Sequence, residues 1–140
     1  MILSFKKNFP DKSPTGFVQK ILSGQKIHSM RNGERWKAGH YIHMATGTRT
    51  ANYNQFNIDR PDLQKCISTQ KVFMTCSYFS DITNENDLAI SIDDRLLLPD
   101  EIDCLIKNDG LTLQRFIYWF FPDGNDIWIG QIIHWTNFKY

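Results

Sequence analysis

The sequence predicts an α+β fold, in which a small, partly closed β-barrel of about six strands carries about three helices on its outside. Two observations support this fold class. The predicted elements follow the order strand, helix, several strands, two helices, strand, and extended segments outnumber helical ones. An open α+β sandwich is the alternative arrangement of the same elements. A chain of 140 residues has the usual size of one domain, so we treat residues 1–140 as a single domain.

The N-terminal part predicts a short strand and a short helix. Residues 2–5 are mostly apolar and predict the strand. Ser13 and Pro14 predict the start of the helix, with serine as the N-cap and proline at the first helical position. Apolar residues then recur at helical spacing, namely Phe17, Val18, Ile21 and Leu22. Gly24 ends this helix, because glycine is the usual residue just past a helix C-terminus.

The middle of the chain predicts strands separated by a long polar loop. We expect residues 26–31, 41–45 and 68–79 to be extended, the last because β-branched and aromatic side chains recur there. The loop around residues 46–67 is long for a small domain, and long structured loops often carry function.

The second half predicts a hairpin, two helices and a final strand. Residues 89–92 and 95–98 flank a turn at Asp93-Asp94, and residues 81–87 before them form an acidic loop. The elements that follow are a helix from Pro99 to Gly110 with acids in its first turn, a helix capped by Thr112, and an apolar strand over residues 127–136.

Composition favours a globular chain without a membrane span. The apolar share is 41%, and no apolar run reaches the roughly 18 residues that a span requires. The residues at 1–7 have their charges after their apolar side chains, the reverse of a secretion signal, so we expect a cytoplasmic location. The three cysteines are far apart and odd in number, and no histidine or cysteine spacing resembles a metal site. We therefore expect neither a metal nor a cofactor.

Charge is distributed unevenly along the chain although the net charge is only +1. Residues 1–71 hold 12 basic and four acidic side chains, a net charge of +8, whereas residues 72–140 have a net charge of −7. The two halves could attract each other within one fold. Alternatively, the basic half lines a cleft for a phosphate-bearing partner. The sequence leaves both interpretations open.

One short stretch, Gly24 to Arg31, combines a cation, a hydroxyl and a guanidinium after a helix end. Because the glycine ends the helix, Lys26, Ser29 and Arg31 can point into solvent or into a cleft. A Lys and an Arg beside an exposed strand are also typical of a solvated sheet edge. We expect His28, within the same stretch, to be structural or exposed.

This stretch resembles the signature of the ASCH family, small β-barrel domains related to the PUA fold. Three segments carry the resemblance: Gly24-x-Lys26-x-x-Ser29-x-Arg31 followed by Trp36-Lys37-x-Gly39, then Asn108-Asp109-Gly110-Leu111 before the last helix, and a closing strand with Ile132 and Ile133. Together they span most of the chain from Phe5 onward. The resemblance implies a PUA-like barrel.

Small bacterial members of this family remove the acetyl group from N4-acetylcytidine with a lysine, a threonine and a glutamate. The resemblance implies that Lys26, Ser29 and Asp109 stand at these three positions. Serine keeps the hydroxyl, whereas aspartate keeps the charge on a side chain one methylene shorter, and a misplacement of about 1 Å can cost roughly a hundredfold in rate.

Two mechanisms suit these groups. Ser29 could attack the acyl carbonyl while a neutral Lys26 takes its proton, or a charged Lys26 could hold the oxyanion while Asp109 takes the proton of an attacking water. Burial would lower the pKa of Lys26 and a nearby Asp109 would raise it. Arg31 would then bind substrate or fix Asp109.

Both Lys26 and Ser29 must reach one cleft for either mechanism. On a regular strand, residues 26 and 29 point to opposite faces, because side chains alternate. They share a cleft only if Lys26 belongs to the loop after Gly24 or if a bulge intervenes.

Further side chains are candidates for substrate binding. They are basic or aromatic, as suits a nucleoside or single-stranded RNA: Arg31, Arg35, Trp36, Lys37, Arg49 and Tyr53. Small barrels need aromatic side chains in the core, which favours packing for each aromatic residue among them, and we assign Trp119, Trp128 and Trp135 to the core.

These residues and the family resemblance predict two alternative functions. The first is an amidohydrolase acting on N4-acetylcytidine or a related modified cytosine. The alternative is a non-catalytic RNA-binding module acting in RNA metabolism or translation regulation. An accessory domain with a protein partner is a third possibility, although no sequence feature identifies such a partner.

Overall fold

A computed structural model describes residues 1–77, 88–123 and 126–140, and it confirms the α+β class. In these ranges there are three helices: α1 (Phe17–Leu22), α2 (Pro99–Asn108) and α3 (Leu113–Phe120). The strands are β1 (Ile2–Ser4), β2 (His28–Asn32), β3 (His43–Thr46), β4 (Asn54–Gln55), β5 (Ser68–Cys76), β6 (Leu88–Ile92), β7 (Arg95–Leu96) and β8 (Ile127–His134).

The strands form two sheets. The smaller sheet has the order β1-β3-β4, with β1 parallel to β3, and the larger one has the antiparallel order β2-β8-β5-β6-β7. Within the described ranges no strand pairing joins the two sheets, so the closed barrel stays a prediction. These ranges contain eight strands where about six were expected. The hairpin arm over residues 95–98 is present as β7, whereas β4 was not predicted, because its two residues are too few to show alternation in the sequence.

The hydrophobic core lies against the larger sheet. Along β5, buried and more exposed side chains alternate, and the apolar side chains that it buries are Val72, Met74 and Cys76. The paired strand β8 is buried at every position from 130 to 134. Helix α3 adds Phe116 and Phe120 to the same cluster. Trp128 and Trp135 are buried as expected.

The predicted start of α1 is wrong. The helix begins at Phe17 with Gly16 as its N-cap, and Pro14 instead forms an isolated bridge with Asn8. Ser13 bonds to Asp11 rather than to a helical N–H. A local turn and a strand-like bridge therefore override the helix-start signal of the Ser-Pro pair.

The later elements agree with the sequence. Thr112 Oγ1 accepts a hydrogen bond from the Arg115 N–H and caps α3. Asp93 and Asp94 both have positive φ, as the tight turn of the β6–β7 hairpin requires. The loop around 46–67 contains β4 and a 3-10 turn over Pro61–Leu63. The acidic loop 81–87 and the predicted strand end at 78–79 lie outside the described residues.

The link between α1 and β2 is held in place by both neighbouring helices. Gly24 has a φ of 82°, the left-handed conformation that ends α1. The Lys26 N–H then donates to the Lys20 carbonyl at 2.9 Å, and the Ile27 N–H donates to the Asn108 carbonyl at 3.0 Å. This link therefore runs beside the C-terminal end of α2, where Asp109 lies.

Candidate active site

Lys26 and Asp109 form a buried ion pair. Lys26 Nζ lies 2.7 Å from Asp109 Oδ1 and donates a second hydrogen bond, of 2.6 Å, to the Asp109 carbonyl oxygen. The two residues are only 2% and 3% exposed. Two hydrogen bonds from one tetrahedral nitrogen leave a single further position on it, occupied by a third proton or by a lone pair.

Lys26 belongs to the loop before β2, which begins at His28. It is therefore not bound by the alternation of the strand, and Lys26 and Ser29 line the same cavity. Gly110, just past α2 with a φ of 80°, lies against the Lys26 stem, since a Cβ added there would be 3.3 Å from Lys26 Cδ. The glycine gives the lysine room to reach Asp109.

The cavity that these residues share has a volume of about 90 Å³. Aromatic rings form much of its wall, among them Phe5, Phe17 and Trp119. Ser29 is 4% exposed, and its hydroxyl has no hydrogen-bond partner among the described residues. The cavity thus combines an apolar wall with a hydroxyl, an amine and a carboxylate.

Burial shifts the pKa values of the charged pair. Burial lowers the pKa of Lys26 below its usual value, and the attraction of Asp109 offsets this only in part. Burial by itself would raise the pKa of Asp109, but the neighbouring Lys26 ammonium and the contact with His28 outweigh it and hold that pKa below the usual value. Asp109 is therefore ionised at neutral pH, and Lys26 is easier to deprotonate than an exposed lysine.

Arg31 lines the same cavity but does not contact Asp109 directly. Its guanidinium donates to the Ser4 carbonyl and lies 5.5 Å from the centre of the Phe5 ring. Burial lowers the pKa of Arg31, with Asp109 acting in the opposite direction. Of the two roles expected for Arg31, this position suits substrate binding.

The other expected binding residues lie elsewhere. Arg35, Arg49 and Tyr53 line a separate cleft of about 520 Å³, which meets the first cavity at Ser4. Lys37 is exposed. Trp36 is 6% exposed and packs in the core, and its main-chain N–H and carbonyl both bond to the Gln131 side chain, so its ring offers little surface to a ligand.

Three further residues lie at the site and were not predicted there from the sequence. His28 is fully buried with Nδ1 3.5 Å from Asp109 Oδ1, and its Nε2 lies 2.6 Å from the Tyr140 hydroxyl. Trp119 was assigned to the core, yet it is only partly buried and lines the cavity. The position of His28 between Lys26 and Ser29 was a signal for its role, whereas nothing in the sequence indicated Tyr140.

Across residues 1–77, 88–123 and 126–140, no three His, Cys, Asp or Glu side chains come together as metal ligands would. None of the helices in these ranges has the length and apolar content of a membrane span.

Comparison with known proteins identifies no relative. No family model matches the chain, and neither the curated proteins nor the solved structures contain a significant match. The resemblance to the ASCH family therefore stays a prediction based on the three sequence segments.

Proposed function

We propose that the protein is an ASCH-like amidohydrolase that removes a small acyl group from N4-acetylcytidine or a related modified cytosine. The observation that carries this proposal is the buried Lys26–Asp109 pair, which shares one cavity with the unpartnered hydroxyl of Ser29. The proposal includes the PUA-like barrel that the resemblance implies.

In the proposed reaction, Ser29 Oγ attacks the acyl carbonyl carbon and its proton passes to Lys26 Nζ. The amide C–N bond then breaks, and Lys26 returns the proton to the departing N4 amine of cytosine. Water next attacks the acylated Ser29, again losing a proton to Lys26. Cleavage of the ester releases the carboxylic acid, and the proton on Lys26 restores the Ser29 hydroxyl.

We favour this mechanism over the one in which Asp109 acts as base, because Asp109 Oδ1 already accepts a hydrogen bond of 2.7 Å from Lys26 Nζ. Burial also lowers the pKa of Lys26, which brings it closer to the range of an effective base. Asp109 then orients Lys26 by accepting a hydrogen bond from Nζ. This contact fixes the direction in which the lone pair of the neutral amine points.

The size of the cavity supports a small acyl group. A buried cavity of about 150 Å³ holds a benzene ring, which is close in size to a pyrimidine. The 90 Å³ beside Ser29 is smaller, so it suits an acetyl group better than the ring attached to it. The base would therefore lie at the mouth of the cavity, near Arg31.

The test is to incubate the purified protein with N4-acetylcytidine and to follow the release of cytidine. We expect turnover by the wild type and a loss of about 10³-fold or more in Lys26→Met and in Ser29→Ala. Ser68→Ala is the matched control, because Ser68 is also a buried strand serine without a hydrogen-bond partner for its hydroxyl. Absence of turnover, or full turnover in Lys26→Met, would contradict the proposal.

A second candidate, the RNA-binding module, is favoured by the basic clefts around Ser4. One cleft presents Arg35 and Arg49, and a neighbouring one presents Lys6 and Lys7. None of the residues that line these two clefts is acidic. This distribution agrees with the interpretation that the basic half of the chain faces a phosphate-bearing partner.

RNA binding predicts an affinity for single-stranded RNA that falls steeply with salt. Removing a phosphate contact in Arg35→Gln or Arg49→Gln should reduce the slope of log affinity against log salt by about 0.7. Arg95→Gln is the control, because Arg95 is already paired with Glu101. Salt-independent binding, or equal effects of all three variants, would reject this candidate. Binding without turnover of N4-acetylcytidine would favour it over the enzyme.

A further inference from the structure

A fully buried histidine connects the ion pair to Tyr140. His28 Nε2 lies 2.6 Å from the Tyr140 hydroxyl, and the same hydroxyl oxygen accepts a hydrogen bond of 3.0 Å from Asn108 Nδ2. On its other side, His28 Nδ1 lies 3.5 Å from Asp109 Oδ1. The proposed reaction so far leaves this histidine without a role.

The hydrogen bonds of Tyr140 favour one tautomer of His28. Since the Asn108 amide donates to the phenol oxygen, the single O–H of Tyr140 is free to donate to His28 Nε2. His28 Nε2 then carries a lone pair, and the proton of the neutral ring is on Nδ1. The opposite tautomer would place the Nδ1 lone pair towards the Asp109 carboxylate, which is repulsive.

The Nδ1 proton has no hydrogen-bond partner among the residues that the structure describes. At 3.5 Å, Asp109 Oδ1 is too distant for a good hydrogen bond, and His28 Nδ1 is a buried polar atom that is left unpaired. A buried donor without an acceptor is costly, so such groups call for an explanation. Hydrogen bonds within catalytic sites are often long before substrate binds and shorten afterwards.

We propose that His28 is a positioning residue, fixed by Tyr140, whose Nδ1–H holds the Asp109 carboxylate when Lys26 is neutral. The catalytic consequence rests on the proposed amidohydrolase function. In the reactive state Lys26 carries no charge, so Asp109 loses its cation. The Nδ1–H of His28 then keeps the carboxylate in place, and with it the orientation of Lys26.

The surroundings of His28 agree with this role. The groups that face it are Asp109, Lys26, Tyr140 and the ring of His134, whose centre lies 5.7 Å away. Burial lowers the pKa of His28, against the opposing attraction of Asp109, so the ring is neutral at physiological pH. Burial also raises the pKa of Tyr140, which keeps its O–H available as a donor.

The first test needs no substrate. Nitrogen-15 NMR of the histidine rings in the wild-type protein distinguishes protonated from unprotonated ring nitrogens. We expect His28 to be protonated at Nδ1 and unprotonated at Nε2 at neutral pH. A proton on Nε2, or on both nitrogens, would overturn the proposal.

The second test compares two substitutions of His28. In His28→Asn the side-chain amide nitrogen can replace Nδ1, whereas in His28→Gln it replaces Nε2 and leaves Asp109 without this donor. We expect His28→Gln to lose about 100-fold in kcat with little change in KM, and His28→Asn to recover most of that loss. Equal losses in both variants would overturn the role.

The control for this pair is His134. It is also fully buried with an unpartnered Nδ1, and it lies opposite His28 in the register of β2 and β8, but it bonds to Gln70. His134→Asn and His134→Gln should not differ from each other in kcat. A difference as large as that at His28 would mean that packing, not the donor, sets the rate.

The outcomes separate this inference from the proposed function. If the wild type does not hydrolyse N4-acetylcytidine, the proposed function fails, while the NMR measurement still decides the tautomer of His28. If the wild type is active and the two His28 variants are equally impaired, the proposed amidohydrolase function is supported and the positioning role of His28 is rejected.

Discussion

Two ion pairs in this protein have the same length and opposite surroundings. Lys26–Asp109 and Arg95–Glu101 each bring a nitrogen within 2.7 Å of a carboxylate oxygen. The side chains of the first pair are 2% and 4% exposed, whereas those of the second are 50% and 31% exposed. Arg95 bonds both carboxylate oxygens of Glu101, whereas Lys26 bonds one carboxylate oxygen and the carbonyl of Asp109. The larger difference between the two pairs is the solvent around them.

The surface pair is an ordinary solvated contact, whereas the presence of a buried pair needs a reason. Exposed pairs are screened by water and contribute little to stability. Burying two charges carries a desolvation cost that their attraction often fails to recover, and apolar residues of similar size are frequently as stable. A buried Lys–Asp pair beside an unpartnered serine is thus better explained by chemistry than by stability.

The largest expected effect comes from breaking the buried pair. Lys26→Met leaves the Asp109 carboxylate buried and unpaired, so we expect the free energy of unfolding to fall by about 3–5 kcal/mol in urea denaturation. The double variant Lys26→Met/Asp109→Leu should recover most of this loss while remaining inactive.

The matched variant at the surface pair is Arg95→Met. It should leave the free energy of unfolding close to that of the wild type, because water solvates Glu101 once the arginine is removed. Similar losses in Lys26→Met and Arg95→Met would show that burial does not distinguish the two pairs.

A second test concerns the buried histidines and the pH dependence of the free energy of unfolding. Burial lowers the pKa of His134 to about 3 and also lowers that of His28. Between pH 3 and the ordinary value of 6.5, the unfolded chain binds protons that the folded chain does not, so stability falls as the pH falls. Each histidine contributes up to about 1.4 kcal/mol per pH unit.

The measurement is urea denaturation at several pH values between about 7 and about 5. His134→Gln should make the dependence of stability on pH shallower, because it removes one of the two buried histidines that take up a proton on unfolding. The exposed His43 provides the control, and His43→Gln should leave the dependence unchanged. An unchanged dependence in His134→Gln would contradict the assignment to the buried ring.

The smallest effect concerns the packing of the Lys26 stem. Gly110 and Gly33 have φ values of 80° and 76°, but only Gly110 is close to other side chains, with Lys26 Cδ 3.3 Å from an added Cβ. Gly33→Ala should cost about 1–2 kcal/mol for its backbone conformation alone. Gly110→Ala should cost about 1 kcal/mol more and also lower activity. Equal costs and equal activities would mean that the lysine stem adjusts freely.

The sequence predicted the fold class better than the details of the fold. The strands β5 and β8 and the helices α2 and α3 have clear patterns of burial or caps, and the structure has them close to the expected positions. The start of α1 was wrong because a Ser-Pro pair is a local signal, and pairing of Pro14 with Asn8 prevailed over it. The strand β4 was not predicted, because two residues are too few to show the alternation that is typical of a strand.

Local sequence patterns could not show which residues meet at the candidate site. Lys26 and Asp109 are 83 positions apart, and neither periodicity nor spacing relates them, so only the family resemblance proposed them together. His28 was expected to be structural or exposed, since a sequence does not reveal which residue packs against its ring. Arg35 and Trp36 are neighbours in sequence, yet one is exposed beside a basic cleft and the other is buried in the core.

Nucleophilic attack by Ser29 can be tested by looking for the acyl group on its side chain. The protein is mixed with N4-acetylcytidine, quenched in acid within the first turnover, digested and analysed by mass spectrometry. We expect a single acetyl group on the peptide that contains Ser29, and none in Ser29→Ala or in Lys26→Met. Cytidine release without acetylation of Ser29, or with acetylation of another residue, would show that Ser29 is not the nucleophile.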